Sequence, residues 1–448
     1  MKIYLKIVAI GLFCLAKANF SVAQTSTKQV PEATLGSLKT QIDSRADAIE
    51  TQVVAWRRHL HENPELGNRE FKTAEYILAH LKKFSNLDIR SNVAFTGIVA
   101  TLKGGKPGPV IALRADMDAL PVVERVQLPY ASKVRSTYNK QDVGVMHACG
   151  HDTHVAMLMA AAELLSGMQK DIRGTIVFLF QPAEEGAPEG EEGGAKLMVR
   201  EGCLDNPKVE AIFGLHINSG TEVGRINYKP AGAMAASDEL RIKIKGKQTH
   251  GASPWNGVDP IVVSAQVING LQTIVSRQMD LTNEAAVITI GKINGGVRNN
   301  IIPEEVEMVG TIRTLDNKMQ DNIHARIKLT AEKIAESMGA TAEVVIRRGN
   351  PVTYNDPALT DMMLPTMKEV AGESNVKLVH ATTGAEDFSF YAQKVPGLFL
   401  FLGGMTKGLD PSLAMPHHTP DFFIDDSGMK LGVRTLCYLA LDYAEKKK

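Results

Sequence analysis

The chain has 448 residues, 44% of them apolar and 22% charged, with 50 basic against 50 acidic side chains. That length suggests two or three domains, and the composition is that of a soluble globular protein. Zero formal charge, with no basic patch, acidic tail, low-complexity tract or repeat, argues against nucleic-acid binding and against solenoid, propeller and collagen architectures.

Residues 1–24 carry Lys2 and Lys6, then an apolar run at 7–15, then Ser21-Val22-Ala23-Gln24. This is the layout of a secretory signal peptide, and the run is too short to span a membrane. Export to the periplasm or medium is expected, with no membrane attachment afterwards; an apolar N-terminal helix packed on the body is the alternative. Of the four cysteines, Cys14 would leave with this segment. Cys149, Cys203 and Cys437 remain, an odd and widely spaced set that argues against a disulfide framework and leaves one Cys203–Cys437 bridge open.

A polar linker reaches about residue 35, and helical patterns follow at 38–61 and 71–84. Strands are read at 98–102 and 110–114, and an Ala-, Met- and Leu-rich buried helix at 153–167. The segments 174–180 and 211–215 are apolar without polar alternation, as strands covered on both faces of a mostly parallel α/β sheet are. From 240–245 the pattern alternates apolar and basic, as in a half-exposed strand. A helix at 259–277, strands at 286–293 and 306–313, a helix at 318–338 and a strand at 342–346 complete the ferredoxin-like order β-α-β-β-α-β. We read 235–348 as a domain inserted into a larger α/β domain made of 35–234 and 349–448.

The densest chemistry is His147-Ala148-Cys149-Gly150-His151-Asp152-Thr153-His154. A thiolate and an imidazole two residues apart, on a Gly-containing turn before a helix, can converge on one cation, and both suit zinc and related ions. Asp152 is placed to order an imidazole. Directly after strand 174–180 comes Gln181-Pro182-Ala183-Glu184-Glu185, at a strand end where open α/β sheets put their sites. One of the two carboxylates can hold a cation while the other takes a proton from the attacking water and later hands it to the leaving amine. His216 follows strand 211–215, and His418 lies in a Pro-bounded loop with His417. Cys149, His151, Glu185, His216 and His418 thus supply five ligands, enough for two metal ions with open positions. Asp116 and Asp118, at the end of strand 110–114, are assigned a supporting role beside the ligands. In the inserted segment, His250, Asn300 and Arg313 can stabilise an oxyanion or grip a carboxylate.

These motifs resemble the co-catalytic metallopeptidase and aminoacylase superfamily, in its amidohydrolase branch of hippurate hydrolase, indole-acetyl-amino-acid hydrolases and N-acetyl-diaminopimelate deacetylase. The likeness runs from Trp56-Arg57-Arg58-His59-Leu60-His61-Glu62-Asn63-Pro64-Glu65 to His418-Thr419-Pro420, through Gly384-Ala385-Glu386-Asp387-Phe388. It implies a zinc-peptidase-like catalytic domain with an inserted ferredoxin-like lid or dimerisation domain. It implies two divalent ions (zinc, manganese, cobalt or nickel) on the five ligands, bridged by Cys149, and Glu184 as general acid and base. His250, Asn300 and Arg313 correspond to residues that contact substrate, His250 often serving the other subunit of a homodimer formed through the inserted domain.

The expected substrate is an N-acyl amino acid, cut at its amide bond; a dipeptidase or carboxypeptidase of the same superfamily is the rival, and a non-catalytic binder a third reading. A purely structural metal site fits poorly, because such sites draw on ligands close in sequence and these span about 270 residues. One departure is the acidic stretch 186–194, longer than the usual glycine loop and adjacent to the paired glutamates.

Overall fold

The computed structural model describes residues 34–447, so the signal-like segment, Cys14 and most of the linker lie outside the described residues. An eight-stranded sheet forms the larger body, in the order Leu87–Val93, Gly97–Lys103, Arg173–Gln181, Lys106–Asp116, Ala211–Glu222, Gly397–Met405, Ile226–Tyr228, Val376–Leu378. Its four middle strands run parallel, with Ile111 opposite both Ile176 and Ala211, and Phe401 beside His216. Antiparallel neighbours flank them on both sides. The middle strands are almost wholly buried, which explains their unbroken apolar reading.

Helices His151–Ser166 and Met429–Lys446 pack on this sheet and against each other, and helix Leu35–Glu62 packs on both of them. All but one residue of His151–Ser166 is buried, and small alanines at 160–162 let it pack closely. Among the described residues no helix is long and apolar enough to cross a membrane.

The second sheet takes the order Ala286–Gly295, Glu305–Thr314, Ala236–Lys245, Thr341–Arg348, all antiparallel, with helices Pro260–Gln278 and Asn317–Ser337 packed against it. Chain order and strand order together are ferredoxin-like. Alternation in Ala236–Lys245 sends Leu240, Ile242 and Ile244 into a core with Val263, Val267, Leu271, Ile323 and Ile327. Each such side chain contributes ~1.5–3 kcal/mol relative to exposure. Local signals start both helices: Asp259 caps Ile261 and Val262 ahead of Pro260, and Asp316 caps Met319.

Several elements had no counterpart in the sequence reading, among them the edge strand Leu87–Val93, the sheet strand Gly397–Met405 and the helices Pro357–Ala371 and Met429–Lys446. The cysteine pairing left open does not form: Cys149, Cys203 and Cys437 are all free and buried.

Candidate metal centre and catalytic cleft

The parallel strands deliver the chemistry at one end of the sheet. Strand Lys106–Asp116 ends on Asp116, strand Arg173–Gln181 leads into Glu184 and Glu185, and His216 sits within Ala211–Glu222. Cys149 and His151 are separated by Gly150, whose φ of +92° suits glycine; a Cβ there would come within 2.4 Å of Ile217. His418 also takes a left-handed backbone, at φ +63°, held by its N–H donating to the Ala148 carbonyl at 2.8 Å. A non-glycine residue in that region costs about 1–2 kcal/mol, and such strain concentrates at functional sites.

The five expected ligands converge. Cys149 Sγ lies 3.3 Å from His216 Nε2 and 3.3 Å from His418 Nε2. His418 Nε2 is 3.1 Å from Glu185 Oε1, which is 3.9 Å from His151 Nε2. The fitness of these groups for a cation rests on their donor atoms. His151 Nδ1–H donates to the Asp118 carbonyl at 2.9 Å, and His216 Nδ1–H to the Ile217 carbonyl at 2.6 Å. Each ring is thereby left with a lone pair on Nε2 aimed at the cluster, and His151 Nε2 is buried with no hydrogen-bond partner. Glu185 Oε1 is likewise buried without an aligned donor. Burial, then Glu185 and Glu184, push the Cys149 thiol well above its usual range. A cation reverses that balance by stabilising the thiolate.

The same test separates the other histidines. His154 donates from Nδ1 to Asp116 at 2.5 Å and accepts from Ile217 N at 2.8 Å through Nε2, so neither nitrogen is free. His417 donates to the Cys149 carbonyl and accepts from Ser219 N, each at 3.2 Å. Both stand close enough to be ligands, yet both are already satisfied.

The carboxylates divide as follows. Asp118 accepts from Glu184 N at 3.1 Å and Glu185 N at 3.0 Å, clamping the loop that carries them, and its carbonyl orients His151. Asp116 accepts from Arg114 at 2.7 Å and from His154. Burial alone would raise Asp116; Arg114, His151 and His154 overcome it and hold the carboxyl well below its usual range. Asp152 does not order an imidazole of the cluster. One residue along the helix from His151 is a turn of about 100°. Its carboxylate therefore meets the helix Leu35–Glu62, 2.8 Å from Arg57 Nε and 2.8 Å from His61 Nδ1.

Glu184 lines the cleft beside these ligands. Burial, then Glu386, Glu185, Asp387 and Asp116, push its carboxyl well above the usual range. Glu386 and Asp387 were not assigned a role from sequence, although Glu386-Asp387 repeats the adjacent acidic pair of Glu184-Glu185. Both bind Arg114, at 2.8 and 2.9 Å, and Asp387 N donates to Glu184 Oε1 at 3.4 Å. Glu70 was missed too: its carboxylate accepts from Ala183 N at 2.8 Å and so fixes the positive-φ residue just before Glu184. Burial and Asp118 raise Glu70 to about 8.

The cleft has a volume of about 660 Å³ and is lined by Cys149, Glu184, Glu185, His216 and His418 from the large body and by Ser237, Val287 and Arg313 from the inserted segment. Arg313 makes no ion pair among the described residues. His250 and Asn300 do not line this cleft. They sit on an exposed two-stranded unit where Gly251 N donates to the Asn300 carbonyl at 2.8 Å. The acidic stretch is tied down at its rim: Glu191 takes Arg69 at 2.6 Å and Asn68 at 3.1 Å, and Glu192 pairs with Arg200. A smaller cavity of about 210 Å³, lined by Leu66, Leu120, Tyr138 and Pro188, meets the cleft's Glu185 from beside that stretch.

Sheet, strand-end ligands and a glutamate lining the cleft beside them together define a metal-dependent hydrolase. The chain belongs to peptidase family M20/M25/M40, whose profile matches residues 112–442. It is 39% identical to the N-acetyl-L-cysteine deacetylase of Bacillus subtilis, over 85% of this chain and 85% of that one. It is 38% identical to thermostable carboxypeptidase 2 of Saccharolobus solfataricus, over 89% of this chain and 97% of that one. A solved structure of a dinuclear metal-binding M20 peptidase from Bacillus subtilis superposes with a TM-score of 0.74 at 35% identity, covering 89% and 99% of the two chains.

Proposed function

We propose that the protein hydrolyses the amide bond of N-acyl amino acids, releasing a carboxylic acid and a free amino acid. The observation that carries this reading is Arg313, a guanidinium without an acidic partner that lines the same cleft as Glu184 and four of the five ligands, Cys149, Glu185, His216 and His418. A guanidinium lining that cleft suits the free carboxylate of an amino acid. Cys149, His151, Glu185, His216 and His418 would hold two divalent ions, which supply Lewis acidity at the scissile carbonyl and lower the pKa of the attacking water. Glu184 takes the proton released as water adds to the carbonyl carbon. It then delivers that proton to the nitrogen as the C–N bond breaks, so no net proton is gained or lost by the enzyme. Asp118 and Glu70 keep the Glu184 backbone in register, and Arg313 holds the amino acid carboxylate through both steps.

A panel of benzoylglycine, N-acetyl amino acids and dipeptides tests this, each assayed as isolated, after chelation and after return of manganese or zinc. Metal-restored cleavage favouring the acyl amino acids is expected. Preference for dipeptides would replace this reading with the carboxypeptidase one, which the Saccharolobus relative and the same Arg313 also support.

We further propose that the site is completed in a homodimer, with His250 of the partner subunit stabilising the oxyanion. Supporting this, His250 and Asn300 lie away from their own chain's cleft, and the inserted segment exposes Trp255 (79%), Val297 (95%) and Ile293 (52%). The test is complementation. His250→Ala and Glu184→Gln chains should each be nearly inactive alone, whereas co-expression should restore about a quarter of wild-type activity, since half the random dimers carry one intact site. Absence of any recovery in verified mixed dimers would sink the shared-site reading.

A further inference from the structure

A second large cavity, of about 560 Å³, shares no lining residue with the metal cleft. It lies between the helix Gly194–Arg200 with its following turn and the segment around the helix Ser389–Ala392. Its walls are apolar: Leu204 and Val209 belong to the core, and Val199, Phe390 and Val395 pack half-buried against that core. Around these walls stand Lys196, Arg200, Lys208 and Lys394, against one acid, Asp205. Arg200 is occupied by Glu192, at 2.7 and 2.6 Å. The three lysines make no ion pair among the described residues. Two acids close in sequence are engaged elsewhere, Glu201 accepting from Ala94 N at 2.7 Å and Glu210 from Val110 N at 3.1 Å.

Three unpaired ammonium groups over an apolar pocket select one ligand chemistry. An inorganic anion would satisfy the charges and leave the hydrocarbon walls wet. A neutral hydrocarbon would cover the walls and gain nothing from the lysines. Only an amphipathic anion uses both, and the volume is that of a small-molecule site. We propose that this cavity is a second ligand site, taking a small amphipathic monocarboxylate with its apolar part on Leu204, Val209, Phe390 and Val395 and its carboxylate among Lys196, Lys208 and Lys394.

The walls are also joined to the catalytic network. Ala195 N, on the first helix, donates to Asp387 Oδ2 at 2.7 Å, and Tyr391 OH, on the second, donates to Gln181 Oε1 at 3.1 Å. A carboxylate seated there braces both segments that hold Asp387. The acid released by the reaction proposed above is a ligand of this class; that link rests on the proposed reaction, whereas the site itself does not.

The experiment titrates octanoate and its uncharged counterpart octanamide by calorimetry. The proteins are the metal-loaded enzyme, the same enzyme after chelation, and a Lys208→Glu/Lys394→Glu variant, whose changes fall on exposed side chains outside the metal cleft. Octanoate should bind with or without metal, octanamide should bind at least about 10-fold more weakly, and the double variant should lose at least about 10-fold in octanoate affinity while hydrolysing substrate at the wild-type rate. Binding that disappears on chelation and survives the double substitution would assign octanoate to the metal centre alone and overturn the proposal. So would equal binding of octanamide, or no binding of octanoate up to about 10 mM.

Discussion

Glu184→Gln is expected to lower turnover by about 10²–10⁴-fold, the usual contribution of a positioned acid–base group, while leaving bound metal at the wild-type level. The separation of effects follows from the geometry. Glu185 Oε1 stands 3.1 Å from His418 Nε2, inside the ligand cluster, whereas Glu184 reaches the Asp387 backbone and the cleft. Gln keeps the size of Glu184 and can still accept from Asp387 N, while losing the charge and the capacity to carry a proton. Glu185→Gln should give the opposite signature, with metal content falling first and activity following it. Metal analysis beside kcat on the two variants distinguishes the roles. Near wild-type turnover by Glu184→Gln, or loss of metal from it, would remove Glu184 from the proton-transfer step.

Much of this cluster is legible in the sequence, for a physical reason. Ligand chemistry is local: a thiol and an imidazole around Gly150, or two glutamates after a buried strand, announce themselves by residue type. What sequence could not reveal was how each ring spends its second nitrogen. His154 and His417 resemble ligands in composition and proximity, and only their donors and acceptors, Asp116 with Ile217 N and the Cys149 carbonyl with Ser219 N, show them to be satisfied. Asp152 follows His151 directly, but a helix turns about 100° per residue, so its carboxylate meets the imidazole of His61 and none of the cluster. Strand Leu87–Val93 went unread because its alternation of Leu87, Ile89 and Val93 with Asp88, Arg90 and Asn92 is broken at Ser91, and only its two end residues are buried. The ferredoxin-like order was legible because its strands are half-covered, and alternation survives there.

Arg114→Met should cost about 3–5 kcal/mol of stability, the range for breaking a buried ion pair from one side. Arg114 is 1% exposed, and its guanidinium serves four acceptors at once: Gln181 at 2.8 Å, Asp116 at 2.7 Å, Glu386 at 2.8 Å and Asp387 at 2.9 Å. Methionine fills part of the volume and leaves three buried carboxyl groups without their shared cation. Against a typical total of 5–15 kcal/mol that is a large fraction, and an unfolding midpoint lower by roughly 5 °C is expected. The loss should widen from about pH 6 to about pH 9. Burial raises Glu386 to about 8 and Asp387 to about 6 even with Arg114 in place. An acid whose folded pKa lies above its unfolded value binds more protons when folded, so its contribution weakens as pH climbs toward the folded pKa. Without the guanidinium both values rise further, and each deprotonation is penalised more. Neutralising one partner offers the control: Arg114→Met/Glu386→Gln should recover part of the loss, because one fewer charge is stranded. Arg114→Lys should fall between, since a single ammonium cannot match a fork spread over four acceptors. Denaturant titrations of the four proteins at two pH values measure all of this. A deficit under about 1 kcal/mol at both would mean the three carboxyl groups find other partners, and that Arg114 is not what holds Asp387 against Glu184.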